Sequence, residues 1–450
     1  MWLLYDKYMG VIMPPYLQNI KKNLLSFIES RLFPFFGVSI SAALLAHKNI
    51  HDLPEFAYTL AVYSVVSTVF SMPLASIGNI FHLHRDKLTP QAIFEEGFKI
   101  SIVFSVCAFF VAILVYFSLA GAGLKIDGEK FFLLSAIYIP AIPLLVLNTY
   151  LHIFHESTGA SYICAKIKRW GILSGCAVLG LAFFISKDKF FSYFAIGYFS
   201  LVEILILVSL ALLSKRQGYV FEANKKSAIL HDVVSLGFPI ADGLAGQKLY
   251  YYLLNEKLLS LDSSLAGHLS ICMSVIGLLS IPLVAFSQMH SVYTSKNIAT
   301  ENNLYLKGII TCTALILLVS IFLLIGGKPL LYVFGDNSLE FSEKAFLVIS
   351  FSMASSGFFM VTTSHLRAMS DTLTPQIIIN LVMLFILIPI IYFTSLDNVS
   401  VYIFISLQAF AVLSVTLILQ LRIFSLNKKF IANSFVADSG VREQRNRKCT

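Results

Sequence analysis

Asp242 and Lys248 stand inside an otherwise apolar run, residues 234–254, that is long enough to cross a lipid bilayer. Ionisable side chains at that depth are costly, and by default they mark an ion pathway or a binding site. Six residues of helix set the two about 9 Å apart along the axis and about 120° apart around it, so they do not pair with each other. A carboxylate there can exchange a proton, or hold sodium where neighbouring oxygens complete a shell. The competing reading is that Asp242 meets a cation from another helix and fixes packing. Glu203, in the run 191–213, is a second candidate for ion coupling on the same grounds. Gln247, Lys248, Tyr250 and Tyr251 are candidate cavity-lining residues, because phenol and amide groups offer aromatic faces and neutral hydrogen bonds to a bulky solute. Hydrogen bonding between helices is the alternative use of the same groups.

The remaining polar motifs point to less. His152, His155 and Glu156 form H-x-x-H-E, a spacing that puts two ligands on one helix face, but no third partner is evident and an interfacial polar cluster is the expectation. His47 and His51 read the same way. Arg367 and Asp371 have the i, i+4 spacing of an ion pair at a helix end, and Glu29 and Arg31 are expected to reach toward the cytoplasmic interface. Six scattered cysteines show neither metal-ligand nor disulfide spacing. No phosphate loop is present, which excludes an ATP motor of that type, and there is no catalytic constellation. Neither an enzyme, a metal site nor an organic cofactor is expected; the one bound co-species implied is a coupling ion, proton or sodium.

The elements that hold these residues are apolar helices. Of 450 residues 57% are hydrophobic and only 13% charged, and a soluble fold cannot bury that much apolar surface. Runs of spanning length fall at 32–46, 56–81, 100–124, 131–154, 170–185 and 191–213, then at 234–254, 265–286, 309–326, 345–366, 376–393 and 402–421. The fifth is short. With the N-terminus inside, the cytoplasmic segments hold 23 Lys and Arg and the outer loops 8, which orients both termini to the cytoplasm. The net charge of +8 is therefore a topology signal with some attraction to anionic lipid, and no nucleic-acid partner is implied. The first span is expected to act as an uncleaved signal. The organisation is a six-helix bundle over 1–213, a cytoplasmic linker over 214–230, a second six-helix bundle over 231–425, and a polar tail over 426–450 whose last part, from 437, is expected to be disordered.

The two halves repeat. Ser71-Met72-Pro73-Leu74 matches Ser280-Ile281-Pro282-Leu283 at an offset of 209, and at that offset Ala57 meets Ala266 and Leu60 meets Leu269. Phe33-Pro34 matches Phe238-Pro239 at an offset of 205. Six spans is an even number, so the halves share one orientation and the symmetry axis runs along the membrane normal.

In this frame residues 366–375, Leu-Arg-Ala-Met-Ser-Asp-Thr-Leu-Thr-Pro, resemble the LRGxGDTxTP element after the tenth span of multidrug and toxic compound extrusion (MATE) transporters, of the multidrug/oligosaccharidyl-lipid/polysaccharide exporter superfamily. The eleventh span then ends Ile388-Pro389, where that family also has a proline. Leu265-Ala266-Gly267-His268 through Ile281-Pro282-Leu283 is similar to the family's eighth span, and Gly237-Phe238-Pro239-Ile240 to its seventh. The resemblance covers about 32–421. It departs at the carboxylates: the first-span aspartate falls on Asn49, beside His47 and Lys48, the seventh-span glutamate of one branch on Gln247, and the tenth-span aspartate near Ser355-Ser356.

The resemblance implies an all-α membrane protein, about twelve transmembrane helices in two pseudo-symmetric bundles, that exports small organic, amphipathic or cationic solutes by ion-coupled antiport with alternating access. Its partners are then a small-molecule substrate and membrane lipid, and a monomer in a bacterial plasma membrane is expected. A lipid-linked sugar flippase and a non-transporting membrane scaffold are the alternatives. The orientation has a direct test. Cysteines placed at Lys125 and Lys257 should react with impermeant maleimide added outside, whereas cysteines at Arg85 and Lys225 should react only after permeabilisation.

Overall fold

In lipid every backbone N–H and C=O must be satisfied within the segment or a closed barrel, so long apolar runs become helices. The computed structural model describes residues 15–83, 87–119, 128–220, 229–297, 301, 303–335, 339–369, 371–393 and 400–446, and among these every regular element is helical. The first half comprises α1 (Pro15–Asn49), α2 (Leu53–Ser71), α3 (Ile77–Leu83), α4 (Pro90–Leu119), α5 (Gly128–Tyr138), α6 (Ala141–His155), α7 (Ser161–Ile185) and α8 (Asp188–Arg216). The second comprises α9 (Leu230–Leu261), α10 (Ser263–Asn297), α11 (Leu304–Gly335), α12 (Glu343–Ala368), α13 (Leu373–Asn380), α14 (Ile388–Phe393) and α15 (Val401–Asn446). Most of the expected linker, 221–228, lies outside the described residues, as do the side chains of Glu29 and Arg31.

Among the described residues nine stretches are long and apolar enough to cross a membrane. Two of them, Phe35–Phe81 and Gly128–Ile185, are 47 and 58 residues long and hold two passes each. With α9, which carries the two charged residues, this gives the twelve passes of an integral multi-pass membrane protein. The outward faces of α4 and α11 expose rows of large apolar side chains, among them Phe110, Phe117, Ile321 and Phe322. That is far more apolar surface than water tolerates and what lipid requires.

Three boundaries differ from the sequence reading. α1 begins at Pro15 rather than near 32, because Tyr16, Ile20, Leu24 and Phe27 recur at helical spacing and bury a face of their own. The fifth pass is not short: α7 starts at Ser161 and carries Lys166, Lys168 and Arg169 in its first turns, where long basic side chains can reach the interface. The tail expected to be disordered from 437 continues α15 as helix to Asn446, with no proline to stop it. The repeat prolines also act differently. Pro73 lies in a 3₁₀ turn, Met72–Ser76, between α2 and α3, whereas Pro282 is carried inside unbroken α10.

The halves meet along α2 with α9 and α1 with α10. Glycines bring the backbones together. A Cβ at Gly237 of α9 would overlap the Pro73 backbone, and one at Gly277 of α10 would overlap the Phe35 ring of α1. α1 itself is shared: its C-terminal part, with Ala42, Leu45 and Ala46, lies in the main apolar core. Its N-terminal part packs on Leu283, Phe286, Met289 and Ile316 of the second half.

A methyl group added at this seam reports on it directly. Gly277→Ala should lower the melting temperature in detergent, the overlap with Phe35 costing about 1–3 kcal/mol. Gly180→Ala, where a Cβ meets nothing within 4 Å, should leave stability unchanged or raise it, as glycine is the poorer helix former.

Candidate functional site

α8 is apolar through its centre apart from Glu203, and the helix carries that carboxylate to α6. Asn148 of α6 donates through Nδ2 to Glu203 Oε2 at 2.6 Å and to the Glu203 main-chain carbonyl at 2.8 Å. Both acceptors of the amide's N–H₂ thus belong to one residue, which fixes the carboxylate against the α6–α8 contact. Asn148 Oδ1 is buried and has no hydrogen-bond partner among the described residues. The buried phenols of Tyr138 and Tyr198 lie within electrostatic reach of Glu203, as does Lys168. Tyr198 in turn abuts Gly37 of α1, where a Cβ would overlap its hydroxyl. One carboxylate, one spare amide oxygen and two phenols therefore sit beside the helix that bridges the two halves.

In the second half α9 presents two faces. Gly243 and Gly246 leave room for Gln376 and Asn380 of α13. On this face Gln247 Nε2 donates to Gln376 Oε1 at 3.3 Å, and Asn380 Nδ2 donates to the Gly243 carbonyl at 3.2 Å. Nearby, Gln408 Nε2 of α15 donates to the Tyr251 hydroxyl at 2.7 Å, and Tyr250 is buried against it. The second face meets α2. Gly237 and Tyr252 lie on it, Tyr252 stacking on Tyr58 with ring centroids 6.0 Å apart. Lys248 shares this face by helical position, between Gly237 and Tyr252, and is exposed there. The halves thus touch at levels of α9 on either side of Lys248, which keeps part of its surface exposed. Asp242, which is exposed, lies at the edge of the first face, about 40° around the helix from Gly246, and its carbonyl is 3.4 Å from Asn380 Nδ2.

Of the sequence candidates, then, Gln247 bonds to Gln376 and Tyr251 to Gln408 in two separate neutral contacts. The Tyr250 hydroxyl is buried with no hydrogen-bond partner among the described residues, Lys248 is on the seam between the halves, and the Asp242 main chain borders Asn380. Glu203 belongs to the other half. The sequence reading missed Asn148, Gln376, Asn380 and Gln408, each a polar residue in an apolar run and so visible in principle. It also missed Asp52, which is buried just ahead of α2, accepts from Asn49 Nδ2 at 2.8 Å and pairs with Lys130. The H-x-x-H-E motif divides: His152 pairs with Glu156 at 3.1 Å, while His155 reaches Gln217 and Ser214 on the α8 side. No group of three or more His, Cys, Asp or Glu side chains suited to a metal ion occurs among the described residues.

The turn after α12 is also explained. Asp371 Oδ2 takes Arg422 Nε of α15 at 3.0 Å rather than the expected Arg367, and its Oδ1 accepts the Thr374 N–H at the start of α13. Burial disfavours the charged Asp371 carboxyl, but Thr374 and Arg422 outweigh it and hold it below the usual carboxylate range.

No sequence profile of a known family matches the chain, and no curated protein sequence matches it. Solved structures do. An inward-facing multidrug resistance MATE family transporter of the MOP superfamily is 14% identical over 93% of this chain and 97% of that one, with a TM-score of 0.65. A eukaryotic MATE transporter is 12% identical over 90% and 96%, with a TM-score of 0.59. The chain has the MATE fold. An outward-facing MATE family transporter is also similar, 15% identical over 90% and 98%, at 0.54. At these identities the MATE likeness concerns the path of the backbone, and the residues within it are this chain's own.

The Asn148–Glu203 contact is open to a double-mutant cycle. Asn148→Leu should cost about 1–3 kcal/mol in detergent melting, because the carboxylate loses its donor. Asn148→Leu/Glu203→Leu should recover much of that loss, and a purely additive pair would show that the two do not interact.

Proposed function

We propose that the protein is a secondary active transporter that exports small organic, amphipathic or cationic solutes by ion-coupled antiport with alternating access. The observation that carries the reading is the seam between the halves. It is closed by backbone-close contacts at Gly237–Pro73 and by the Tyr58–Tyr252 stack, with Lys248 exposed between them. Two rigid helical bundles in contact at two levels on either side of an exposed lysine are what rocking about a midplane site needs. The similarity to both an inward-facing and an outward-facing MATE structure supports two available packings of one fold.

In this reading the solute is held by neutral phenol and amide groups, Gln247, Tyr250 and Tyr251 with Gln408, and by whichever groups face Lys248. Glu203 carries the coupling ion. It takes a proton, or with Asn148 Oδ1 it offers two oxygens to sodium. Asp242 stands second for the same role, since it is exposed whereas Asn148 donates directly to the Glu203 carboxylate. Antiport follows if ion and solute favour different facing states, because a ligand shifts an equilibrium only by its differential affinity. Both termini lie in the cytoplasm, no cofactor takes part beyond the ion, and the monomer suffices because both bundles belong to one chain. A second reading, flipping of a lipid-linked sugar, draws support from Lys248, a cation at the seam suited to a phosphate.

Solute accumulation in inside-out vesicles under imposed proton or sodium gradients tests the reading. Glu203→Gln keeps size and hydrogen bonding but not the charge change. It should reduce gradient-driven accumulation about tenfold or more while sparing downhill movement. Asp242→Asn should have a smaller effect. Wild-type gradient dependence in Glu203→Gln, with loss in Asp242→Asn, would transfer the role to Asp242. Acceleration of labelled lipid-phosphate movement with no organic-solute transport would select the flippase reading.

A further inference from the structure

Neither the proposed ion site nor the solute-holding groups use the buried histidines of the second half. His290 of α10 and His365 of α12 are 0% and 3% exposed, near the C-terminal ends of their helices. His290 Nε2 and His365 Nδ1 are 3.2 Å apart and the rings stack at 5.4 Å. The other ring nitrogen of His290, Nδ1, lies 2.7 Å from the hydroxyl of Tyr16. Tyr16 is itself 1% exposed and sits in the first turn of α1. Gly308 of α11 has no side chain for the same reason: a Cβ there would come within 2.6 Å of the His290 ring. The sequence is thus built around a hydrogen-bonded row, Tyr16–His290–His365, that runs from one half of the molecule into the other.

Such a row has a definite proton capacity. With both rings neutral, Tyr16 donates to His290 Nδ1 and His290 Nε2–H donates to His365 Nδ1. One added proton is accommodated by reversal: His365 Nδ1–H then donates to His290 Nε2, and His290 Nδ1–H to the Tyr16 oxygen. A second added proton leaves two N–H groups facing each other at 3.2 Å. The row therefore takes one proton and no more.

The surroundings decide what that proton does. Facing the pair are Tyr16 from α1, Tyr293 from α10, and Tyr305 and Cys312 from α11, with Gln420 of α15 beyond Tyr305. No carboxylate is among them. Glu301, the carboxylate within electrostatic reach of Tyr16, is held by the Tyr293 hydroxyl and by Lys307 Nζ at 2.9 Å, and Arg422 of α15 is held by Asp371. α1 also carries Lys21 and Lys22 in its sequence. Among the described residues a cation on the pair is consequently buried with no carboxylate in contact with it, which is unfavourable until water reaches it. The group that covers it is the first part of α1, with Tyr16 and Ile20 packed on Phe286, Met289 and Tyr293.

We propose that His290 and His365 form a single-proton site, and that Tyr16 makes its occupancy decide whether the N-terminal part of α1 is docked on the second bundle. Without the proton α1 is docked, as in this structure. With it, α1 lifts and the charge is hydrated. This site is separate from Glu203, and the proposal stands whether or not the protein transports a solute.

Hydrogen exchange of the full-length protein in lipid nanodiscs tests it, read by mass spectrometry on peptides covering residues 15–27 and corrected for intrinsic rates. Between about pH 8 and about pH 5, either side of the ordinary imidazole value, protection of these residues should fall about tenfold in the wild type. In His290→Gln/His365→Gln the protection should be the same at both values. Should that pair of changes prevent folding, Tyr16→Phe serves alone: it removes the hydroxyl that reads the site, so protection should be low and independent of pH. Constant protection in the wild type, or pH dependence surviving in either variant, would overturn the proposal.

Discussion

The fold depends on close approach between two helical bundles that lipid cannot drive together. Inside a bilayer an apolar side chain gains little by leaving lipid for protein, so helices associate through tight packing and polar contacts. Here the closeness comes from missing side chains. Gly237 lies against the Pro73 backbone, Gly277 against Phe35, and Gly37 against Tyr198. These three contacts tie together α9 with the α2–α3 turn, α10 with α1, and α1 with the helix that carries Glu203. The polar groups that matter are arranged around that seam: Lys248 on α9 within it, Glu203 on α8 beside α1, and the histidine row where the N-terminal part of α1 meets the second bundle.

α1 is the element through which these regions communicate. Its C-terminal part is core to the first bundle and its N-terminal part is covered by the second. In the proposed rocking of the bundles a rigid helix shared in this way cannot follow both, so one of its two attachments must yield. The C-terminal attachment is built of small residues in the main core. The N-terminal one includes the Tyr16–His290 hydrogen bond, a contact that can change with protonation. Physical chemistry therefore singles out the N-terminal attachment as the one that releases.

How much of this was legible in the sequence follows from what each feature depends on. Twelve passes, the repeat and the turn at 366–375 rest on local hydropathy and turn chemistry, and both were readable. Asp371 illustrates the limit: the i, i+4 rule offered Arg367, and the tertiary fold supplied Arg422 from α15 instead. The early start of α1 was also written in Tyr16, Ile20, Leu24 and Phe27, but a search for spanning hydropathy passes over a face that polar residues interrupt. Of the six site candidates five share one stretch of α9, but the helical turn distributes them: Gln247 meets Gln376 and Tyr251 meets Gln408, partners that local sequence does not name. The partners of Glu203 and His290 were not legible, since Asn148 and Tyr16 lie 55 and 274 residues away in sequence. Only the packing of distant helices makes them neighbours.

The central claim is that the two bundles move against each other about the level of Lys248. Spin-label distances in nanodiscs test it most directly, with one pair at His51 and Ser260 on the outer side and another at Lys87 and His231 on the cytoplasmic side, all four exposed. The account predicts two populations in each pair, with the outer distance lengthening in the conditions of pH or solute where the inner one shortens. A single unchanging distance in both pairs across those conditions would contradict it and leave a rigid membrane scaffold in its place.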